Sequence, residues 1–144
     1  MTTLRNDPYA AFNFLVEIEG LLVGGFSEVT GLQIETDVEE YREGGQNGYV
    51  HKLVGPTRYP ANLVLKRGLT DSDSLWRWHQ EIVKGRIERK NGSIVLLDNN
   101  GEEKVRWNFR GGLPSKWIGP ELNATGTSVA TETLEIVHKG ITKA

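Results

Sequence analysis

Cysteine is absent from the chain, which removes disulfide frameworks, thiolate zinc sites and thiol nucleophiles together. Histidine is scarce: His51, His79 and His138 show none of the i, i+3 or i, i+4 pairing that metal ligands on a helix adopt. His79 reads instead as a partly buried histidine with a hydrogen-bond partner. Neither a Gly-x-Ser-x-Gly elbow nor a phosphate-binding Gly-Lys-Ser/Thr motif occurs, and "GGFSEVTG" leads into a strand rather than opening a helix, so it is no dinucleotide fingerprint. None of the three histidines is expected to serve a metal or catalytic role. An excess of one charge is also lacking. Seventeen basic against nineteen acidic residues, a formal net charge of −2, argue against a generic electrostatic grip on nucleic acid or anionic lipid. No apolar run is long enough to span a bilayer, and "MTTLRNDPYAAFNF" lacks the basic start and apolar stretch of a secretory signal. Export, if it occurs, is expected to use another route.

What is present is mostly β pattern. "FNFLVEIEG", "GGFSEVTG" and "ANLVLKRG" are short, rich in β-branched and aromatic residues, and bounded by glycine. "SIVLLDNNGEEKVRWNF" reads as a hairpin whose Asn100-Gly101 favours a tight turn with positive φ. "KWIG" and "ATETLEIVHKG" supply the last strands. One segment changes period: from Thr70 and Asp73, at capping-box spacing, a helix is expected over about residues 71–86, with Leu75, His79, Ile82, Val83 and Arg86 on one side. The basic cluster "KGRIERK" at its end reads as a solvated terminus that complements the helix dipole. The fold class is therefore mainly β: two packed antiparallel sheets in a small barrel or sandwich with one α-helix. Residues 1–144 form a single domain, with an extended loop at about 44–60 whose glycines and prolines break any helix and in which "YVHKLV" has room for a short strand.

The segment "LQIETDVEEY", residues 32–41, interleaves two chemistries. Leu32, Ile34, Thr36 and Val38 alternate with Gln33, Glu35, Asp37 and Glu39, which on a strand gives one apolar and one acidic face. A row of like charges specialises no member as acid or base, so the row suits a surface better than an active site. Periodicity alone leaves open whether that surface faces bulk solvent.

Toward the C-terminus the residues become more particular. Lys66-Arg67-Gly68 stands before a helix carrying Trp76 and Trp78, "WNF" surrounds Trp107, and "PSKWIGP" runs from Pro114 to Pro120. With "DPYAAFNFLVEIEG" and "FSEVTGL" at the front and "ETLEIVHKG" at the end, nearly the whole chain resembles the tail tube protein family of contractile phages and phage-tail-like injection systems. The resemblance implies a two-sheet β fold with one helix, hexameric rings stacked into a hollow tube, and no enzyme activity, cofactor or metal. A surrounding sheath drives such a tube through a target membrane. The related Hcp protein of type VI secretion shares the fold and ring.

Through this resemblance, Leu32, Ile34 and Val38 are expected to face the subunit core and Gln33, Glu35, Asp37 and Glu39 the lumen. Six copies of that acidic face would repel acidic cargo. Tyr49, Val50, Leu53 and Val54 are expected to anchor a loop on a neighbouring subunit or ring. Asp71, Asp73, Arg77, Gln80, Glu81 and Lys84 form the helix flank expected to meet the sheath. Implied partners are further copies of the chain, sheath, baseplate or spike and cap proteins, and a cargo or tape-measure protein, with no specific nucleic-acid site. The expected setting is assembly in the bacterial cytoplasm into a phage-tail-like particle or virion, released by lysis or fired from within. Two rivals stay open: a phage tail tube conducting DNA, and a small β-barrel holding a ligand in its interior.

Overall fold

The computed structural model describes residues 9–11, 13–21, 24–41 and 51–144; the side chains of Tyr41 and His51 are outside the description. Among the described residues, nine strands and one helix follow in the order β1 Phe14–Ile18, β2 Phe26–Thr30, β3 Glu35–Tyr41, β4 His51–Arg58, β5 Leu63–Gly68, α1 Ser74–Val83, β6 Lys90–Leu97, β7 Glu103–Ile118, β8 Thr131–Val137 and β9 Gly140–Lys143.

Every strand pairing is antiparallel, and β7 organises them. In the sequence the hairpin ending in "WNF" and the strand "KWIG" read as separate elements, with the glycine pair 111–112 between them. Instead, one 16-residue strand runs through it. Gly111 has φ 61°, a left-handed conformation that lets the strand bend without ending. On one side of the bend β7 pairs with β6 and β9, and beyond it with β8. The register is continuous across the corner, since Leu113 opposes Val137 and Arg110 opposes Gly140. One sheet, β1-β6-β7-β9, thus rolls over into another, β7-β8-β5-β2.

The space between the two sheets is filled by side chains. Val16, Ile18, Ile94 and Phe109 come from the first, Leu63, Leu65, Leu134 and Ile136 from the second, and Leu75 and Trp78 from the helix. The strict buried alternation of β5 and β8 follows from their central positions. A ligand in this interior would have to displace the core.

The helix is shorter than the sequence pattern suggests. It begins at Ser74 rather than near 71, and Arg86 lies beyond its end. The Thr70 hydroxyl accepts the Ser72 N–H in a local turn, and the Asp73 carboxylate is held by Arg77 at 2.7 Å, so no side chain caps the helix. The buried side is Ser74, Leu75 and Trp78, while Val83 is exposed. Trp78 also donates its indole N–H to the Glu88 carbonyl at 3.1 Å, tying the helix to the approach of β6. At the β6–β7 turn only Gly101 has positive φ. The positive φ expected of the Asn-Gly pair falls on Gly101, and the Asp98 carboxylate, accepting the N–H groups of Asn100 and Glu102, shapes the rest of the turn. Those backbone bonds, helped by Lys104, also hold the Asp98 carboxyl below its ordinary range.

Candidate interaction surface

Strands β3 and β4 form a two-stranded ribbon separate from the main sheet. Here the structure corrects the sequence reading. Leu32, Ile34 and Val38, expected to face the core, are exposed. Among the described residues the ribbon has a partner strand but no second layer packed on it, so its apolar side chains stay open.

Register sorts the ribbon into two faces. Glu35 opposes Arg58 and Glu39 opposes Leu53 on one; Thr36 opposes Thr57, Val38 opposes Val54 and Glu40 opposes Lys52 on the other. Leu53 and Val54 therefore point in opposite directions, although the sequence pattern groups them as anchors of one loop. Residues 51–58, inside the expected loop, are strand β4, while Tyr49 and Val50 lie outside the described residues. The apolar centre of the second face is Val38 and Val54, 57% and 81% exposed. Beside it the hydroxyls of Thr36 and Thr57 share a hydrogen bond at 3.0 Å.

The acidic row is real, and it is partly neutralised. Arg58 contacts the carboxylates of Glu35 and Asp37, both at 3.2 Å. These pairs are open to solvent and worth about 0–1 kcal/mol each. Gln33, Glu35 and Glu39 are exposed and Asp37 is half-buried.

At the foot of the ribbon lies an open groove of about 240 Å³ lined by Leu32, Gln33, Ile34, Trp107, Ile141 and Lys143. Leu32 and Trp107 also line a neighbouring hollow of about 320 Å³ with Phe14, Val29 and Leu96. Both open onto the surface.

The second feature is a buried polar network built from the particular residues of the C-terminal half. Arg67, before the helix, donates to the Glu132 carboxylate at 2.6 Å, with both side chains 2% exposed. The other oxygen of Glu132 accepts the Trp117 indole N–H at 3.1 Å. Arg67 also donates to the Ser72 carbonyl at 3.3 Å and lies over the Phe26 ring. Trp117 in turn meets the Trp76 ring edge-on, with centroids 4.7 Å apart. Five elements, β2, β5, β7, β8 and α1, and the turn before the helix are thus joined, and the helix position is set relative to β7 and β8. Motif spacing gave no sign of this pairing, because Arg67 and Glu132 are 65 residues apart.

On the helix flank, Asp71, Asp73, Arg77 and Lys84 are exposed and Gln80 and Glu81 half-buried; Asp71 precedes the helix and Lys84 is its C-cap. Arg77 pairs with Asp73, and Glu81 with Arg86 at 3.3 Å.

Among the described residues no three His, Asp or Glu side chains cluster to hold a metal ion, and no helix is long and apolar enough to cross a membrane. His79, expected to have a hydrogen-bond partner, buries its Nδ1 without one. Both ring nitrogens of His138 are likewise buried without an aligned partner, beside Tyr59 at the corner between β8 and β9. Burial holds the His138 pKa below its ordinary 6.5, with the backbone of Ala61 and Gly140 opposing. The unfolded chain therefore binds this proton more readily, so stability is full above about pH 6.5 and falls as pH drops below it. The urea midpoint is expected to be lower at pH 5.5 than at pH 7.5, and the difference smaller in His138→Gln. An unchanged difference would remove His138 as the cause.

Residues 10–142 match the family model described as T4-like virus tail tube protein gp19. Among solved structures, a chain in the cap of the anti-feeding prophage, which terminates its tube, is 25% identical with a TM-score of 0.88, covering 100% of this chain and 95% of that one. A chain in the extended sheath–tube complex of PVC, an extracellular contractile injection system, is 25% identical with a TM-score of 0.84, covering 95% of this chain and 91% of that one. Hcp1 from Flavobacterium johnsoniae shares the fold at 18% identity and a TM-score of 0.50, covering 90% of this chain and 94% of that one. No curated protein sequence matches the chain.

Proposed function

Since the chain belongs to the T4-like tail tube family, we propose that it is the inner-tube subunit of a contractile injection particle. Copies close into hexameric rings, the rings stack into a hollow conduit, and a contracting sheath pushes the conduit through a target membrane. The role is structural, without a catalytic step or cofactor. The observation that carries this reading is the β3–β4 ribbon, which holds Val38 and Val54 out on a face that the isolated subunit leaves uncovered. Apolar side chains presented this way suit a subunit contact. Likeness at 25% identity to chains in a sheath–tube complex and a tube cap favours sheath and cap proteins as partners, and an injection particle over a DNA-conducting phage tail.

In the assembled tube, Gln33, Glu35, Asp37 and Glu39 face the lumen, which carries a cargo or tape-measure protein. Arg58 tempers this wall, so repulsion of acidic cargo rests most on Glu39, which has no cation in register with it. The opposite face, with Val38 and Val54, packs on the neighbouring copy. Leu53 borders the lumen face, Tyr49 and Val50 remain candidates for contact with a neighbouring subunit or ring, and the helix flank from Asp71 to Lys84 meets the sheath. Assembly takes place in the cytoplasm as part of a phage-tail-like particle.

The first test is negative-stain electron microscopy of the purified protein with its mass in solution by light scattering. Six-fold rings or hollow tubes are the expected result. A monomer at every concentration, with preformed baseplate added as a nucleus, would overturn the conduit reading.

A further inference from the structure

The ribbon is an insertion between two strands that already pair. β2 and β5 run antiparallel up to Thr30 opposite Val64, the ladder stops, and it resumes at Glu35 opposite Arg58 in a different sheet. Both stems cross that interruption, one at Gly31 and the other at Tyr59–Asn62. Gly31 has φ +100°, and a Cβ placed on it would lie 2.0 Å from the Asn62 carbonyl oxygen and 2.8 Å from the Asn62 carbonyl carbon. The two backbones touch here through the missing side chain. Neither atom belongs to a flexible group that moves aside at low cost.

We propose that Gly31 is an assembly-positioning residue: its contact with Asn62 fixes the angle at which the ribbon leaves the body, and that angle decides whether copies join. This rests on the reading that copies contact one another through the ribbon. Lever geometry gives the contact its weight. Strand β3 has seven residues, so at about 3.3 Å per residue the ribbon reaches roughly 23 Å, and a 10° turn at its root displaces the far end by about 4 Å. That exceeds the tolerance of a packed apolar contact. A ribbon held at the right angle before association also avoids the ordering cost that a swinging one incurs on binding.

Three variants test this. Gly31→Ala adds the side chain that the stems exclude. Gly25→Ala is the control, because Gly25 also has positive φ, +68°, but an added Cβ there meets nothing within 4 Å. The third variant inserts one glycine after Gly31 and one after Ala61, which loosens the root without a clash. Folding is followed by near-ultraviolet circular dichroism and urea unfolding, ring formation by light scattering and electron microscopy. Wild type and Gly25→Ala are expected to form rings at concentrations within about twofold of each other. Gly31→Ala and the insertion variant are expected to remain folded and to need at least tenfold more protein. Ring formation by a folded Gly31→Ala or by the insertion variant at the wild-type concentration overturns the proposal. Should the alanine variant lose its fold, the insertion variant decides. Absence of rings from wild type itself counts against the functional reading instead.

Discussion

Replacing Glu132 by alanine is expected to destabilise the subunit by about 3–5 kcal/mol, because it leaves the Arg67 guanidinium charged, buried and without its carboxylate. Domains of this size hold a total of about 5–15 kcal/mol, so the variant keeps only part of its margin. Its thermal midpoint should fall by roughly 10–15 °C. Trp117 loses its acceptor at the same time, so the near-ultraviolet dichroism of the Trp76–Trp117 pair should weaken even where the chain stays folded. Glu132→Gln separates the two effects, since the amide oxygen can still accept the indole N–H while the charge is gone. Two further variants sharpen the measurement. Glu135→Ala breaks a 3.8 Å pair with the exposed Lys116, and should cost no more than about 1 kcal/mol. Replacing both buried partners, Arg67→Met with Glu132→Leu, should recover much of the loss, because a paired charge and an apolar pair of similar volume are close in energy. A drop for Glu132→Ala no larger than that for Glu135→Ala would show that Arg67 escapes to solvent and that the network contributes little.

The second large effect concerns association. Val38→Thr combined with Val54→Lys should leave the subunit folded and stop it from forming rings. Both valines are exposed in the single chain, so their removal opens no cavity, and stability should stay within about 0.5 kcal/mol. Threonine keeps the branched shape that a strand accepts. At a subunit contact the same two side chains would contribute about 1.5–3 kcal/mol each if fully buried. Losing them raises the concentration needed for rings by roughly a hundred- to ten-thousand-fold at 1.4 kcal/mol per factor of ten. Light scattering of the variant beside wild type reads this directly. Rings at the wild-type concentration would place the subunit contact elsewhere, for example on the groove around Trp107 and Ile141.

These two expectations differ in how far the sequence reveals them. The alternation in "LQIETDVEEY" is legible, and it correctly gives an acidic face, because side-chain direction along a strand is a local property. What covers each face is not local. Alternation looks the same whether the apolar side chains enter their own core or wait on a neighbour, so it does not reveal that Leu32, Ile34 and Val38 stay exposed. Arg58, which tempers the acidic row, is 23 positions from Glu35 and was invisible for the same reason.

The helix shows the opposite case. Its existence and its burial of Leu75 are legible, since a 3.6-residue period needs no distant partner. Its start depended on a competition between hydroxyl, carboxylate and guanidinium groups within one turn. Asp73 went to Arg77, and no spacing rule ranks those bonds. The "WNF" and "KWIG" segments read as two strands because whether glycines such as Gly111 and Gly112 end a strand or bend it depends on the partner that continues alongside. Here β8 and β9 carry the register through the corner.

By itself, then, the sequence determined what short-range physics controls: strands with their two faces, one helix, and the exclusion of cysteine chemistry. The motif residues Arg67 and Trp117 also marked the family, although their spacing says nothing of a shared partner. Only the tertiary structure decided that these two meet on Glu132, that β7 serves both sheets, and that a ribbon stands apart with its valines uncovered. Each of those outcomes depends on which distant segment fills the space beside a residue, a choice made by packing of the whole chain rather than by its neighbours in sequence.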